Sequence, residues 1–190
     1  MKKKHRWDLR FLTLAETVSN WSKDPSTKVG AVIVDKNRRV VSLGYNGFPK
    51  GVKDTIEKLE DREQKYKHMV HAERNAMLFA NKSLKGCTIY TYPFMPCSEC
   101  AAMIIQSGIK KVVSFDEEDT PSVVRWKKSF EISKKMFEEA GVKIKFCGMR
   151  NVIWNRDSDI PPLTPMINTR LFRFAHQLQN GSLYFGDYPE

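Results

Sequence analysis

Long apolar runs are missing from this chain. No stretch of its 190 residues approaches the roughly 18 consecutive apolar positions of a membrane span. The opening MKKKHRWDLR passes from charge straight into amphipathic sequence, without the apolar stretch of a secretory signal. Membrane insertion and secretion are not expected, and the cytoplasm is the expected compartment. Cysteine is also scarce, with only Cys87, Cys97, Cys100 and Cys147. In a reducing compartment four thiols do not make a disulfide framework. Only Cys97 and Cys100 have the C-x-x-C spacing, so a closed four-cysteine zinc module cannot be assembled. Any zinc site must recruit another residue type. Internal repeats and low-complexity tracts are absent as well.

What is present is the composition of one globular domain: 41% apolar, 28% charged, with a mean hydropathy of -0.48. A chain of this length buries about 70% of its unfolded surface on folding, so a bound metal would serve chemistry rather than hold the core. The net charge is +10, and Lys2, Lys3, Lys4 and Arg6 supply four of those charges. A short basic head is a weaker statement than a basic domain. It suits a small phosphorylated substrate as well as it suits nucleic acid, and a solvated surface is the commonest origin of such an excess.

Phe11, Leu14, Ala15, Val18 and Trp21 recur at spacings of three and four, which predicts an amphipathic helix over residues 8 to 21. VGAVIV, Val29 to Val34, reads as a strand covered on both faces. A polar DKNRR turn leads to a second strand, with Tyr45 and Asn46 at its exit. Residues 50 to 67 are almost wholly polar and read as a solvent-facing, partly helical excursion that carries no core. HAERNAMLFA predicts a second helix with Ala72, Ala76 and Phe79 on one face. Then follow a strand GCTIYTY, a helix PCSECAAMIIQSG, a strand KKVVSF, a helix over residues 122 to 140 and a last strand VKIKF. This places a domain over 1–148 and a proline-containing extension over 149–190, with a short helix expected at 168 to 179, that packs on the body or on a neighbouring subunit.

Two short elements carry chemistry: His71, Ala72 and Glu73 at the start of one predicted helix, and Pro96, Cys97, Ser98, Glu99 and Cys100 at the start of another. Free N–H groups at a helix N-terminus favour a thiolate, and Cys97 and Cys100 lie one turn apart on one face. One imidazole and two thiolates leave the fourth position of a tetrahedral zinc open, which is the pattern of a catalytic site holding water. Two thiolates neutralise the formal charge of the ion, so its water is acidified less than at an all-histidine site, and a base is needed beside it. Glu73 is that base, moving protons between the water, a ring nitrogen and a leaving amine. H-x-E followed by P-C-x-x-C is the signature of the zinc-dependent nucleobase deaminases. In the bland alternative, His71 is a surface histidine and the cysteines fill core.

RWDLRFLTLAETVSNWSKDPSTKVGAVIVD, then SLGYNGFPKG, HAERNA and GCTIYTYPFMPCSECAAMIIQSGIKKVV resemble the deoxycytidylate deaminases of the cytidine deaminase superfamily over residues 6 to about 146. The resemblance implies a three-layer α-β-α sandwich with a central five-stranded mixed sheet. It implies a Zn2+ ion held by His71, Cys97 and Cys100, and Glu73 as proton shuttle. The implied reaction is hydrolytic deamination of dCMP to dUMP and ammonia, feeding thymidylate synthesis. A homo-oligomer, commonly a hexamer, with dCTP and dTTP as effectors is also implied. The long polar insert at 50 to 67 separates this pattern from the transfer RNA adenosine deaminases, which have a shorter passage there.

Among substrate-binding residues, Asn46 offers a donor and an acceptor to a sugar hydroxyl, or serves only its turn. The backbone N–H of Ala72 can meet the pyrimidine carbonyl. Lys23 and Lys28 are candidates for the phosphate, with a solvated role as the alternative for each. Phe94 and Met95 line the pocket or pack beneath it, and Tyr92 stacks on a base or joins the core. His68 makes no second metal site, because the structural zinc of some viral relatives also needs cysteines that are lacking here. Rival readings are a polynucleotide editor acting on transfer RNA or single-stranded DNA, a deaminase accepting dCTP, and a nucleotide sensor without turnover.

Overall fold

The computed structural model describes residues 3–115 and 120–148; the extension from 149 and its expected helix lie outside the described residues. The elements in order are α1 (Lys3–Ser19), β1 (Gly30–Val34), β2 (Val40–Tyr45), α2 (Ile56–Glu60), α3 (Arg62–His68) and α4 (Ala72–Leu78). They continue with β3 (Thr88–Tyr92), α5 (Ser98–Gln106), β4 (Lys111–Phe115), α6 (Pro121–Glu139) and β5 (Lys143–Cys147). Among the described residues, no helix is long and apolar enough to cross a membrane.

The five strands form one mixed sheet in the order β2-β1-β3-β4-β5. β1 runs antiparallel to both β2 and β3, while β3, β4 and β5 are parallel. Parallel neighbours need crossovers, and α5 and α6 supply them. Gly30 and Gly44 show how closely the helices pack on this sheet. A Cβ on Gly30 would lie 2.0 Å from the Ala15 carbonyl oxygen in α1, and one on Gly44 would lie 2.3 Å from the Ala72 carbonyl oxygen in α4. Ala31, next to Gly30, pairs with Gly44, so the two contacts are on opposite faces. The sheet is therefore the middle layer of an α-β-α sandwich. Phe11, Leu12, Ala15 and Val18 of α1 are buried on one side, and Ala76, Ile104, Phe130 and Phe137 of α4, α5 and α6 belong to the core on the other.

Three expectations need correction. α1 ends at Ser19, leaving Trp21 56% exposed with its ring edge against Tyr45. α4 ends at Leu78, and Phe79, expected on its inner face, is 74% exposed at the C-cap. Both aromatics fit the spacing but fall past the last helical turn, where the direction of the chain changes. The polar excursion does form two short helices, α2 and α3, but it also buries Leu59 and Lys65. A lone lysine goes inside only with a partner, and that partner, Asp24, is 41 residues away in the chain.

Candidate active site

α4 and α5 both begin at the same place. His71 is the N-cap residue of α4 and Cys97 that of α5, so the two helix entrances bring the two sequence elements together. The Nδ1 atom of His71 lies 3.4 Å from the Sγ atoms of both Cys97 and Cys100. All three donor atoms fall within 4.8 Å of one another, and among the described residues this is the His/Cys/Asp/Glu group that could hold a metal ion. A tetrahedral zinc with bonds of about 2.3 Å to sulfur and about 2.0 Å to nitrogen separates those ligands by about 3.5 Å. The donor set and spacing fit that ion with little rearrangement.

The Cys97 thiol is held down at about 4, because its contact with Cys100 and the His71 imidazole outweigh the burial that pushes it up. Contact with Cys97 and burial push the Cys100 thiol up. Glu73, in the first turn of α4, is 4% exposed, and its Oε2 lies 3.6 Å from Cys100 Sγ. Burial, reinforced by the negative charge on Cys97, raises its carboxyl above the ordinary carboxylate range. This is the direction expected of a group that must both take and give a proton near neutral pH. Trp126 of α6 presents a T-shaped contact to the His71 ring at 6.2 Å between centroids.

These groups lie on the wall of a cavity of about 320 Å³, a volume in the range of small-molecule sites. His71, Ala72, Glu73 and Cys97 line it, and so do Phe94, Met95, Tyr66 and Trp126. Ala72 is the first residue of α4, so its N–H has no acceptor within the helix. Asn46 also lines the cavity, but its amide is largely spent on the protein. Oδ1 accepts from the Val29 N–H at 2.8 Å, and Nδ2 donates to the Thr27 carbonyl at 3.0 Å and to Asp24 at 3.3 Å. Only acceptor capacity on Oδ1 remains for a sugar.

Lys23 and Lys28 are not in the cavity lining. Lys23 is exposed and pairs with Asp54 at 2.8 Å, and Lys28 is also exposed. Proximity in sequence to β1 suggested them. The cations that do line the cavity are Arg62, Lys65 and Arg125, from α3 and α6. Arg62 and Lys65 carried no signal because they belong to a charge-rich segment, and Arg125 lies 25 residues beyond Cys100 in a helix that the motif does not reach. Tyr92 is absent from the lining and packs its ring edge-on to Phe115. His68 stacks on Phe48 instead of joining the metal-binding group.

The profile of the cytidine and deoxycytidylate deaminase zinc-binding region matches residues 5–115. A deaminase of Aliivibrio fischeri with no assigned substrate is 48% identical over 139 residues, covering 73% of this chain and 92% of that protein. The chain belongs to the cytidine and deoxycytidylate deaminase family. A probable deoxycytidylate deaminase of Caenorhabditis elegans is 44% identical, and that match covers 73% of this chain and 66% of the worm protein. Among solved structures, the dCMP deaminase of cyanophage S-TIM5 in complex with dCMP and dUMP is 26% identical, with a TM-score of 0.58, covering 78% of this chain and 99% of that one. The zinc-binding region of the deaminase family thus spans α1 to β4 of this chain and contains both helix entrances at the cavity.

Proposed function

We propose that this chain deaminates dCMP hydrolytically, yielding dUMP and ammonia for thymidylate synthesis, with His71, Cys97 and Cys100 as zinc ligands and Glu73 as the catalytic acid and base. The observation that carries the reading is the buried Glu73 carboxylate, 3.6 Å from Cys100 Sγ, on the wall of the same cavity as His71 and Cys97. When bound, zinc supplies a Lewis acid that lowers the pKa of water and so provides a nucleophile at neutral pH.

Glu73 takes the proton released as water adds to carbon 4 of the cytosine ring, and passes it to ring nitrogen 3. It then takes the proton of the newly added hydroxyl and delivers it to the departing amine, leaving a carbonyl at carbon 4 and free ammonia. The carboxylate ends the cycle as it began it. The Ala72 N–H meets the pyrimidine 2-carbonyl, Phe94 and Trp126 flank the base, and the remaining lone pair of Asn46 Oδ1 accepts from a sugar hydroxyl. A bounded cavity of about 320 Å³ suits a free nucleotide, whereas a polynucleotide editor needs an open groove with stacking platforms. The cyanophage relative that holds dCMP and dUMP supports the same substrate.

Residues 1–148 form the deaminase domain in this reading. The enzyme works in the cytoplasm as a homo-oligomer, a hexamer by resemblance, and responds to dCTP and dTTP. Exposed Leu78 and Phe79 at the C-terminal end of α4, and Met103 within α5, supply apolar surface for assembly. The test is ammonia release from dCMP, dCTP, deoxycytidine, transfer RNA and single-stranded DNA by the zinc-loaded protein. Preference for dCMP is expected. Turnover of a polynucleotide in place of dCMP, or of none of the five, overturns the reading.

A further inference from the structure

Cys97 is the N-cap residue of α5, and a cysteine there brings no side-chain oxygen to the first turn. An N-cap serine, threonine or aspartate would accept from one of the free N–H groups, but the Cys97 sulfur faces His71 Nδ1 at 3.4 Å instead. The missing acceptor comes from another helix. The N–H of Ser98, the first residue of α5, donates to Ser129 Oγ of α6 at 2.9 Å across 31 residues of chain, and the two hydroxyls share a second hydrogen bond at 3.0 Å. Beside Ser129, Phe130 is 1% exposed and packs on Phe94 with 5.4 Å between ring centroids, which anchors α6 at this level. One turn earlier on the same face, Trp126 meets the His71 ring at right angles. A single face of α6 therefore touches both helix entrances that carry the metal donors. The local backbone sets Cys97 one turn from Cys100, and α6 sets where that turn stands against His71.

We infer that Ser129 is a positioning residue of the metal site: it caps α5 in place of Cys97 and so holds the Cys97–Cys100 turn at the distance from His71 that a tetrahedral ion requires. The inference rests on the proposed zinc ligation by His71, Cys97 and Cys100, and adds a residue that sets their spacing from outside the two sequence elements. Without the Ser129 hydroxyl the Ser98 N–H loses its acceptor, and the first turn of α5 shifts to find another. Both sulfurs shift with it, because both belong to that turn. The effect falls on the metal before it falls on the fold, since Phe130 and Phe137 keep α6 buried against the core.

The test is the zinc affinity of the full chain, measured by competition with a chromogenic chelator, with the absorption spectrum of the cobalt-substituted protein as a second reading of ligand geometry. Ser129→Ala should bind zinc about 10-fold more weakly than wild type and shift the cobalt bands, and Ser129→Thr, which keeps the hydroxyl, should return both toward wild type. Ser133→Ala is the control for a buried hydroxyl lost from the same helix. Its hydroxyl donates within α6, to the Ser129 carbonyl at 2.9 Å, and its zinc affinity should stay within about twofold of wild type. An affinity within about twofold of wild type and an unchanged cobalt spectrum in Ser129→Ala overturn the inference and leave the zinc ligands standing. Equal loss of affinity in Ser129→Ala and Ser133→Ala, with equal losses in urea unfolding, overturns it too, because a general weakening of α6 would then suffice. A wild-type protein that holds no stoichiometric zinc overturns the ligand assignment itself, and the inference with it.

Discussion

At the metal-binding wall of the cavity, His71 and Glu73 are two residues apart and Cys97 and Cys100 three. On its polar side, Lys65 meets Asp24 across 41 residues and Asn46 meets Asp24 across 22. Short separations at helix entrances impose geometry through the local backbone, because an N-cap residue and the first turn behind it have few arrangements. Long separations impose nothing until the chain has folded. The two sides of one cavity therefore differ in how they are encoded, and they should differ in how they fail.

The metal-binding side should fail in chemistry. Glu73→Gln is expected to cut ammonia release from dCMP about a thousandfold while zinc content, measured by elemental analysis, stays stoichiometric. Retention of activity would remove the distinction between the two sides. Cys100→Ala should lower zinc affinity so that a chelator strips the protein at concentrations that leave wild type loaded. Unchanged chelator sensitivity would mean that the site does not hold the ion.

The polar side should fail in folding first. Lys65→Met leaves Asp24 buried without its cation, and a loss of about 3 kcal/mol is expected in urea unfolding. Restoration of part of that loss by adding Asp24→Asn would tie the effect to the buried charge. A single variant as stable as wild type would show that solvent reaches the pair.

A smaller test uses a similar cluster away from the cavity. Asp8 of α1 accepts from Tyr90 at 2.8 Å and from Lys111 at 3.2 Å, and also from Lys145 at 2.5 Å. Burial pushes its carboxyl up, but Lys145, Tyr90 and Lys111 together hold it below the usual aspartate value. A depressed folded pKa means that the unfolded chain binds the proton first as pH falls. The stabilisation is complete above the ordinary value near about 4 and is lost as pH drops through the lower folded value. Asp8→Asn should cost on the order of 1 kcal/mol at pH 7, about 2–4 °C in Tm, with the deficit shrinking below about pH 4. A deficit that is constant with pH would assign the cluster to packing alone.

The same contrast explains what could be read before folding. The β-branched run of β1, the helical spacing in α1 and the two helix-entrance elements are local patterns, and the structure realises each within a few residues of its expected bounds. Trp21 and Phe79 misled because spacing alone does not say where a helix stops. Lys23 and Lys28 were suggested by their place beside β1, and neither lines the cavity, because place in the chain does not say which way a loop side chain turns. Arg125 was invisible because no local pattern connects it to Cys100.

From residue order alone came the alternation of strand and helix and the pairing of an imidazole, a carboxylate and two thiols at helix starts, since both depend on neighbours within a turn or two. Folding alone decided that a lysine from a polar insert is buried against Asp24, that Asn46 spends its amide donors on a loop, and that α6 brings Arg125 to the cavity. Those outcomes depend on contacts between distant segments, whose free energy exists only once the sheet and its helical layers have assembled.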